Sequence, residues 1–437
     1  MIKNKILYIL LWAFGAALAA SAQNNEAGEL TDCDAGSHDG NMPNDTIAAV
    51  ADSSACPWPQ AVVEGLAALV QSDLTKTSQL GLMVYDLDAD SAIFCYNERQ
   101  TLRPASTMKV ITAVAALDKL GGGYQFKTDL CYTGEVKGRM LCGDIYCVGG
   151  FDPGFNNDDL NAFVESIRRM GIDTIMGGIY ADKTMKDSAT LGEGWCWDDD
   201  NPCLSPLLVG RKNNFVERLA RKLTDDGVAI IDKDSADRAY RFLSGSFNCD
   251  RRKPQGAFSV ISRFHTIEQV LMKMLKESDN LYAESMFYQI AASSGSRPAT
   301  AKHARSVINR LITKLGLNPE RYQVADGSGL SLYNYVSAEL EVRMLRYAFR
   351  NENIFPHLYH ALPVAGVDGT LKSRMRGTAA YGNVRAKTGT LTGISSLAGY
   401  CTASNGHRLC FAIINQGIMH NHNGKNFQDK VCALLCR

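Results

Sequence analysis

Net charge is the first thing this 437-residue chain lacks: 46 Lys+Arg stand against 46 Asp+Glu. No basic surplus points to nucleic acid, and no acidic tail is present. Metal-site spacing is missing too. Thirteen cysteines and eight histidines include no Cys-x-x-Cys pair and no histidine cluster with ligand spacing, so neither a metal nor another cofactor is expected. The histidines also form no pattern that would support a Ser-His-Asp triad. Long apolar runs are confined to the N-terminus, where Lys3 and Lys5 precede a stretch from Ile6 to Ala20 that closes on Ala20-Ser21-Ala22. A spanning helix needs about 20 apolar residues. This shorter run with a small-x-small end reads as a cleaved secretion signal, residues 1–22. No cysteine stands at the cleavage point to carry a lipid anchor, and no later run is long enough to cross a membrane. Thirteen cysteines fit an oxidising compartment, and their odd number leaves at least one thiol unpaired per chain.

What is present is enough apolar sequence, 46 % of residues, for two or three domains with a sizeable core. Residues 23–56 are rich in Asn, Asp, Gly, Ala and Ser and read as a flexible leader. The chain then predicts an amphipathic helix over Trp58–Lys76 and a hairpin from Gly81 to Tyr96. A helix follows Pro104, short strands fill Phe126–Val148, and a helix covers Asn157–Met170. A strand at Thr174–Tyr180, a helix at Asn214–Thr224 and a polar linker from Lys233 to Gly256 come next. Helices follow over Thr266–Ala292 (interrupted at Ser278-Asp279-Asn280), Lys302–Leu315 and Ser337–Asn351. Strands at Gly382–Gly389 and Ile394–Ile414 precede a closing helix at Phe427–Leu435. A two-residue turn at Asn405-Gly406 would set Cys401 opposite Cys410, where a disulfide could form.

Three short motifs carry chemistry. Ser106 is the only serine with a lysine three positions on, and helical spacing puts Lys109 on the same face. A serine hydroxyl needs a neighbouring base. Lys109 serves only when neutral, and lowering its pKa from about 10.4 to near 7 takes about 4.6 kcal/mol, which burial and a second cation can supply. Ser278-Asp279-Asn280 sets a hydroxyl and a carboxamide on one side of a tight turn, although taken alone it also reads as a surface helix cap. Lys387 is the only lysine followed by Thr-Gly or Ser-Gly, in Lys387-Thr388-Gly389-Thr390. Ser-x-x-Lys, Ser-Asp-Asn and Lys-Thr-Gly in this order form the set shared by class A β-lactamases and penicillin-binding proteins.

With these motifs, and with Gly149-Gly-Phe-Asp-Pro153, Asp326-Gly-Ser-Gly-Leu-Ser331 and Leu362-Pro-Val-Ala-Gly-Val-Asp-Gly-Thr-Leu371, the chain resembles the class C penicillin-binding proteins. These are serine D-alanyl-D-alanine carboxypeptidases and endopeptidases of peptidoglycan. The resemblance runs from about residue 60 to the end. It implies an α/β (α+β) fold in which residues 57–127 and 262–437 form an antiparallel sheet flanked by helices. A mostly β domain would be inserted at 128–261. It implies Ser106 as nucleophile, Lys109 as base, Ser278 and Asn280 as catalytic partners, and Lys387, Thr388, Gly389 and Thr390 as substrate-binding residues. The oxyanion would be held by the backbone N–H groups of Ser106 and Thr390.

The resemblance also places Asp152 where it would face an ammonium of the substrate, and a structural turn aspartate before proline fits that position equally. Expected partners are peptidoglycan stem peptides ending in D-Ala-D-Ala and β-lactams as inhibitors. The expected location is the periplasm of a Gram-negative-type envelope. Ser106 and Ser278 lie much further apart than in a class A enzyme, and no Glu-x-x-Leu-Asn segment follows Ser278. A fast β-lactamase is therefore disfavoured; a β-lactamase or esterase on the same scaffold and a non-catalytic wall-binding protein remain alternatives. Longer relatives nest a third domain in the inserted one, and here Lys212-Asn-Asn-Phe-Val-Glu-Arg-Leu219 joins its flanks directly.

Overall fold

A computed structural model describes residues 58–198, 200–231 and 250–437. The expected signal segment, the leader and most of the Lys233–Gly256 linker lie outside the described residues. The first amphipathic stretch is two helices rather than one, α1 (Gln60–Leu69) and α2 (Asp73–Thr77), because Ser72 between them is extended. The hairpin β1 (Gln79–Asp86) and β2 (Ser91–Tyr96) follows, with Leu82 opposite Tyr96. A 3-10 turn at Ala105–Thr107 leads into α3 (Met108–Leu120), which stops at Gly121. Every α3 residue from Met108 to Leu117 is buried. An all-round apolar helix of this kind belongs in the middle of a core.

Next come β3 (Gln125–Tyr132), β4 (Glu135–Lys137), β5 (Met140–Cys142) and β6 (Ile145–Gly149). Helix α4 (Asn157–Arg169) starts from a capping box made by Asn156 and Asp159. The single strand expected at Thr174–Tyr180 is β7 (Thr174–Met176) and β8 (Ile179–Asp182), which belong to different sheets. Helix α5 (Phe215–Asp225), β9 (Ala229–Ile231) and β10 (Phe258–Thr266) complete this part. The helical stretch after it is α6 (Ile267–Lys276) and α7 (Asn280–Ala292), followed by α8 (Ala301–Lys314), α9 (Ala338–Phe349) and α10 (Phe355–Ala361). The chain closes with β11 (Arg385–Leu391), β12 (Ile394–Thr402), β13 (Arg408–Gln416) and α11 (Asn421–Leu435).

Strands β11-β12-β13-β1-β2 form one antiparallel sheet between two helical layers. Along β13, Leu409, Phe411 and Ile413 enter the core shared with α1 and α11, while Cys410, Ala412 and Ile414 enter the core shared with α3 and α6 to α9. Strict alternation with both faces buried is what period-two side-chain geometry requires of a central strand. Two four-stranded sheets, β10-β3-β6-β8 and β4-β5-β7-β9, lie between α3 and α6 in sequence. A separate core joins them to α4 and α5 through Leu141, Phe155, Phe163 and Leu219. The antiparallel β3–β10 ladder, Gln125 opposite Thr266 through to Tyr132 opposite Phe258, leads the chain out of the helical core and back.

The β12–β13 turn corrects the expected cysteine pairing. Gly406, at φ +87, donates its N–H to Ala403, and Ala403 in turn donates to His407. This is a three-residue loop with a glycine bulge instead of a two-residue turn. The register slips by one: Cys410 faces Tyr400 and Cys401 faces Leu409, so the two thiols point to opposite cores. Peptide mapping without reduction is expected to yield no fragment joining Cys401 to Cys410; finding that linkage would contradict the register.

Candidate active site

Ser106 lies in the 3-10 turn immediately before α3, half-buried, so its hydroxyl faces the surface at the start of the central helix. Ala105 before it holds φ +50, a left-handed conformation that a non-glycine residue adopts only under surrounding constraint. The constraint is visible. Gly329 (φ +79) is pressed against this turn so closely that a Cβ there would stand 1.8 Å from the Ala105 carbonyl oxygen.

Lys109, one helical turn on, is fully buried. Its Nζ lies 2.7 Å from Asn280 Oδ1, 2.7 Å from the Ser328 carbonyl oxygen and 3.0 Å from Ser106 Oγ. A neutral amine has two N–H donors and one lone pair. The two pure acceptors use the N–H groups, and the lone pair is left for the Ser106 O–H. Burial lowers the pKa of Lys109 to about 8, against the opposing charges of Asp326, Glu284 and Asp279. That displacement corresponds to roughly 3 kcal/mol, and at pH 7 it leaves about a tenth of the molecules with a free amine.

The Ser278 turn between α6 and α7 divides its labour. Asp279 is the helix cap, accepting from the N–H groups of Leu281 and Tyr282, while Ser278, at φ +62, and Asn280 face the lysines. On the edge strand β11, Lys387 is fully buried and donates to Ser278 Oγ at 2.9 Å and to the Thr388 carbonyl at 2.6 Å. Burial, and then the charge of Lys109, push its pKa well below the ordinary lysine value. Thr388 Oγ1 reaches Thr370 Oγ1 at 2.7 Å. Thr390 is exposed further along the strand, and Gly389 lies against the Ser106 turn. Thus Ser106, Lys109, Ser278, Asn280 and the 387–390 strand meet in one place, with the hydroxyls at the surface and both amines beneath.

Asp152 does not join them. Its buried carboxylate pairs with His265 Nδ1 at 2.7 Å and accepts the Gly154 N–H at 2.9 Å. No exposed oxygen is left to meet a substrate ammonium, and the geometry corrects that expectation in favour of a structural turn. Arg385 stacks over the Tyr359 ring, and Trp195 donates to Asp326 while packing on the core.

Several residues around the base were not anticipated. Asp326 accepts from the N–H groups of Gly329 and Ser331, the Asn334 amide and the Trp195 indole, and so shapes the 326–334 loop. Glu284, one turn along α7 from Asn280, accepts the N–H groups of Gly327 at 3.0 Å and Ser328 at 2.8 Å. Its place in Lys276-Glu-Ser-Asp-Asn-Leu-Tyr-Ala-Glu284, four residues after Asn280 on the same helix face, was the one available signal.

The sequence model of the family described as D-Ala-D-Ala carboxypeptidase 3 (S13) matches residues 62–231 and 251–437. The chain is similar to the D-alanyl-D-alanine carboxypeptidase DacB of Haemophilus influenzae, 28 % identical over 415 residues covering 78 % of this chain and 86 % of that protein. It is also similar to a D-alanyl-D-alanine carboxypeptidase of an Actinomadura species, 27 % identical over 453 residues covering 84 % of this chain and 83 % of that one. In structure it resembles penicillin-binding protein 4 of Haemophilus influenzae (TM-score 0.72, 23 % identity, 84 % of this chain and 97 % of that one). The likeness to that structure bears on the fold.

Gly389 tests this geometry directly. A Cβ there would come within 2.1 Å of Ser396 Oγ, 2.7 Å of the Pro104 carbonyl and 2.9 Å of the Ser106 nitrogen. Gly389→Ala is expected to push the strand off the Ser106 turn and cut acylation by a labelled penicillin at least about ten-fold, a loss of about 1.4 kcal/mol in barrier terms. Unchanged labelling would show that the strand and the turn are not in contact.

Proposed function

The chain belongs to the D-Ala-D-Ala carboxypeptidase 3 (S13) family, and from that premise we propose that it is a serine-type D-Ala-D-Ala carboxypeptidase acting on peptidoglycan stem peptides through an acyl-enzyme at Ser106. One observation carries the reading: the Ser106 hydroxyl lies 3.0 Å from a fully buried lysine amine whose N–H groups are taken by other acceptors.

The reaction follows from the groups present. Ser106 Oγ attacks the carbonyl of the penultimate D-Ala and its proton passes to Lys109 Nζ. Charge that develops on the carbonyl oxygen is held by the N–H groups of Ser106 and Thr390. Lys387 and Thr388 bind the terminal carboxylate. Ser278, within 2.9 Å of the Lys387 amine, hands its hydroxyl proton to the leaving amine of D-Ala and recovers one from the lysines, which returns Lys109 to its neutral form. Asn280 keeps Lys109 in place and receives the substrate amide. Water then cleaves the acyl-enzyme, releasing the shortened peptide.

A β-lactam enters the same path and stops at the acyl-enzyme. Cleavage of a cross-bridge uses the same steps with a larger leaving amine, so endopeptidase action is the second expected activity. The Lys3/Lys5 and Ala20-Ser21-Ala22 pattern supports export to the periplasm. Among the described residues no helix is long and apolar enough to cross a membrane.

Ser106→Ala is expected to abolish both D-Ala release from a muropeptide and covalent labelling by fluorescent penicillin. Surviving label would refute Ser106 as nucleophile. Nitrocefin turnover outpacing D-Ala release would favour a β-lactamase. In the wild type, acylation rises with pH through about 8, because only the unprotonated Lys109 can accept the Ser106 proton.

A further inference from the structure

The loop that receives the Lys109 proton donors is itself held by an acid. The Ser328 peptide stands between the two groups. Its carbonyl takes an N–H from Lys109 at 2.7 Å, and its own N–H, with that of Gly327, goes to Glu284 Oε1 at 2.8 Å and 3.0 Å. Glu284 is 1 % exposed and projects from α7 one turn beyond Asn280, the other acceptor on Lys109.

We propose that Glu284 is a positioning residue for the acyl transfer: it fixes the Ser328 carbonyl against Lys109, and through its own proton it sets the pH at which Lys109 becomes a free base. This rests on the peptidase reading. A buried carboxyl and a buried amine so placed compete for one proton. With the proton on Glu284, both groups are neutral and the Lys109 lone pair is open to Ser106. With the proton on Lys109, an ion pair forms across the Ser328 peptide and the base is blocked.

Burial first, and then the charge of Asp326, raise Glu284 to about 8, while the donors on Gly327 and Ser328 pull the other way. Burial brings Lys109 down to about 8 with the charge of Glu284 acting against it, and two buried groups joined through Ser328 titrate as a coupled pair. The other groups that act on them are named by the geometry. Asp326 in the facing loop and Asp279 at the head of α7 favour the charged amine, Lys387 on β11 is itself pushed toward its neutral form by burial and by the charge of Lys109, and Tyr288 on α7 is held neutral by burial.

The sign of the effect is fixed. Each negative charge near Lys109 stabilises its protonated form, so removing the Glu284 charge lowers the pH at which the amine is freed. Glu284→Gln keeps an oxygen to accept the Gly327 and Ser328 N–H groups but cannot ionise.

The test is the second-order rate of Ser106 acylation by fluorescent penicillin, measured from about pH 5.5 to about pH 9.5 on the intact enzyme and on Glu284→Gln. The wild-type limb is expected to be shallower than a one-proton curve, because ionisation of Glu284 raises the Lys109 pKa as the titration proceeds. The Gln variant is expected to follow a one-proton curve that meets the wild type at its acid foot, where Glu284 is already protonated, and to reach its midpoint about one pH unit lower. A wild-type limb of one-proton steepness overturns the inference without any variant. So does a Gln limb superimposed on the wild type or displaced to the alkaline side. Glu284→Leu, which removes the acceptor, is expected to lower acylation at least about ten-fold at every pH. A Leu variant as fast as the wild type contradicts the positioning role. If the wild type is not acylated at all, the peptidase reading falls and this inference falls with it.

Discussion

An amine deprived of water governs how this site is built. Lys109 projects from a helix whose residues 108–117 are all buried, so no solvent is available to stabilise its charge. Its surroundings supply two acceptors and one hydroxyl, which matches the donors and the lone pair of the neutral form. A second buried amine, Lys387, is pushed well below the ordinary lysine value by its own burial and then by the charge of Lys109. The central position of α3 is therefore a chemical requirement as well as a packing result.

The fold answers that requirement by bringing distant segments onto one helix end. The 3-10 turn at Ser106, the kinked junction of α6 and α7 and the edge strand β11 meet there, braced from behind by the 326–334 loop. Asp326 is the organiser of that loop, since four N–H groups close on its two oxygens. Left-handed Ala105 and Ser278 bracket the lysines. Conformations of that kind cost of order 1–3 kcal/mol each and persist only where the surroundings over-determine them. Contact with Gly329 shows how Ala105 is held.

Much of this was legible in the residues because local rules and tertiary needs agreed. The β1–β2 hairpin, the Asn157 and Asn214 helices and the break at Ser278 all follow from spacing, caps and turn residues. The three motifs are legible as well, since each is short and sits at an element boundary. Other features depend on partners remote in sequence. Ser328 and Glu284 touch the Lys109 environment from far along the chain, and nothing near Ser106 announces them. The Cys401–Cys410 register turned on one residue of loop length, which the Asn405-Gly406 pair alone does not determine. Strand β10 and helix α10 were missed because each owes its form to what it packs against: β10 to its ladder with β3, and Phe355 of α10 to the rings of Phe349, Tyr359 and Tyr400. Asp152 reads identically as a ligand and as a turn residue until His265 is seen beside it.

The role of Lys109 as the free base can be observed without turnover. Nitrogen-15 labelling of lysine side chains, with the Lys109 resonance assigned by its loss in Lys109→Arg, gives its titration by NMR. The Lys109 resonance is expected to change protonation near pH 8. A Lys109 amine that stays protonated up to about pH 10.4, like an exposed lysine, would contradict it.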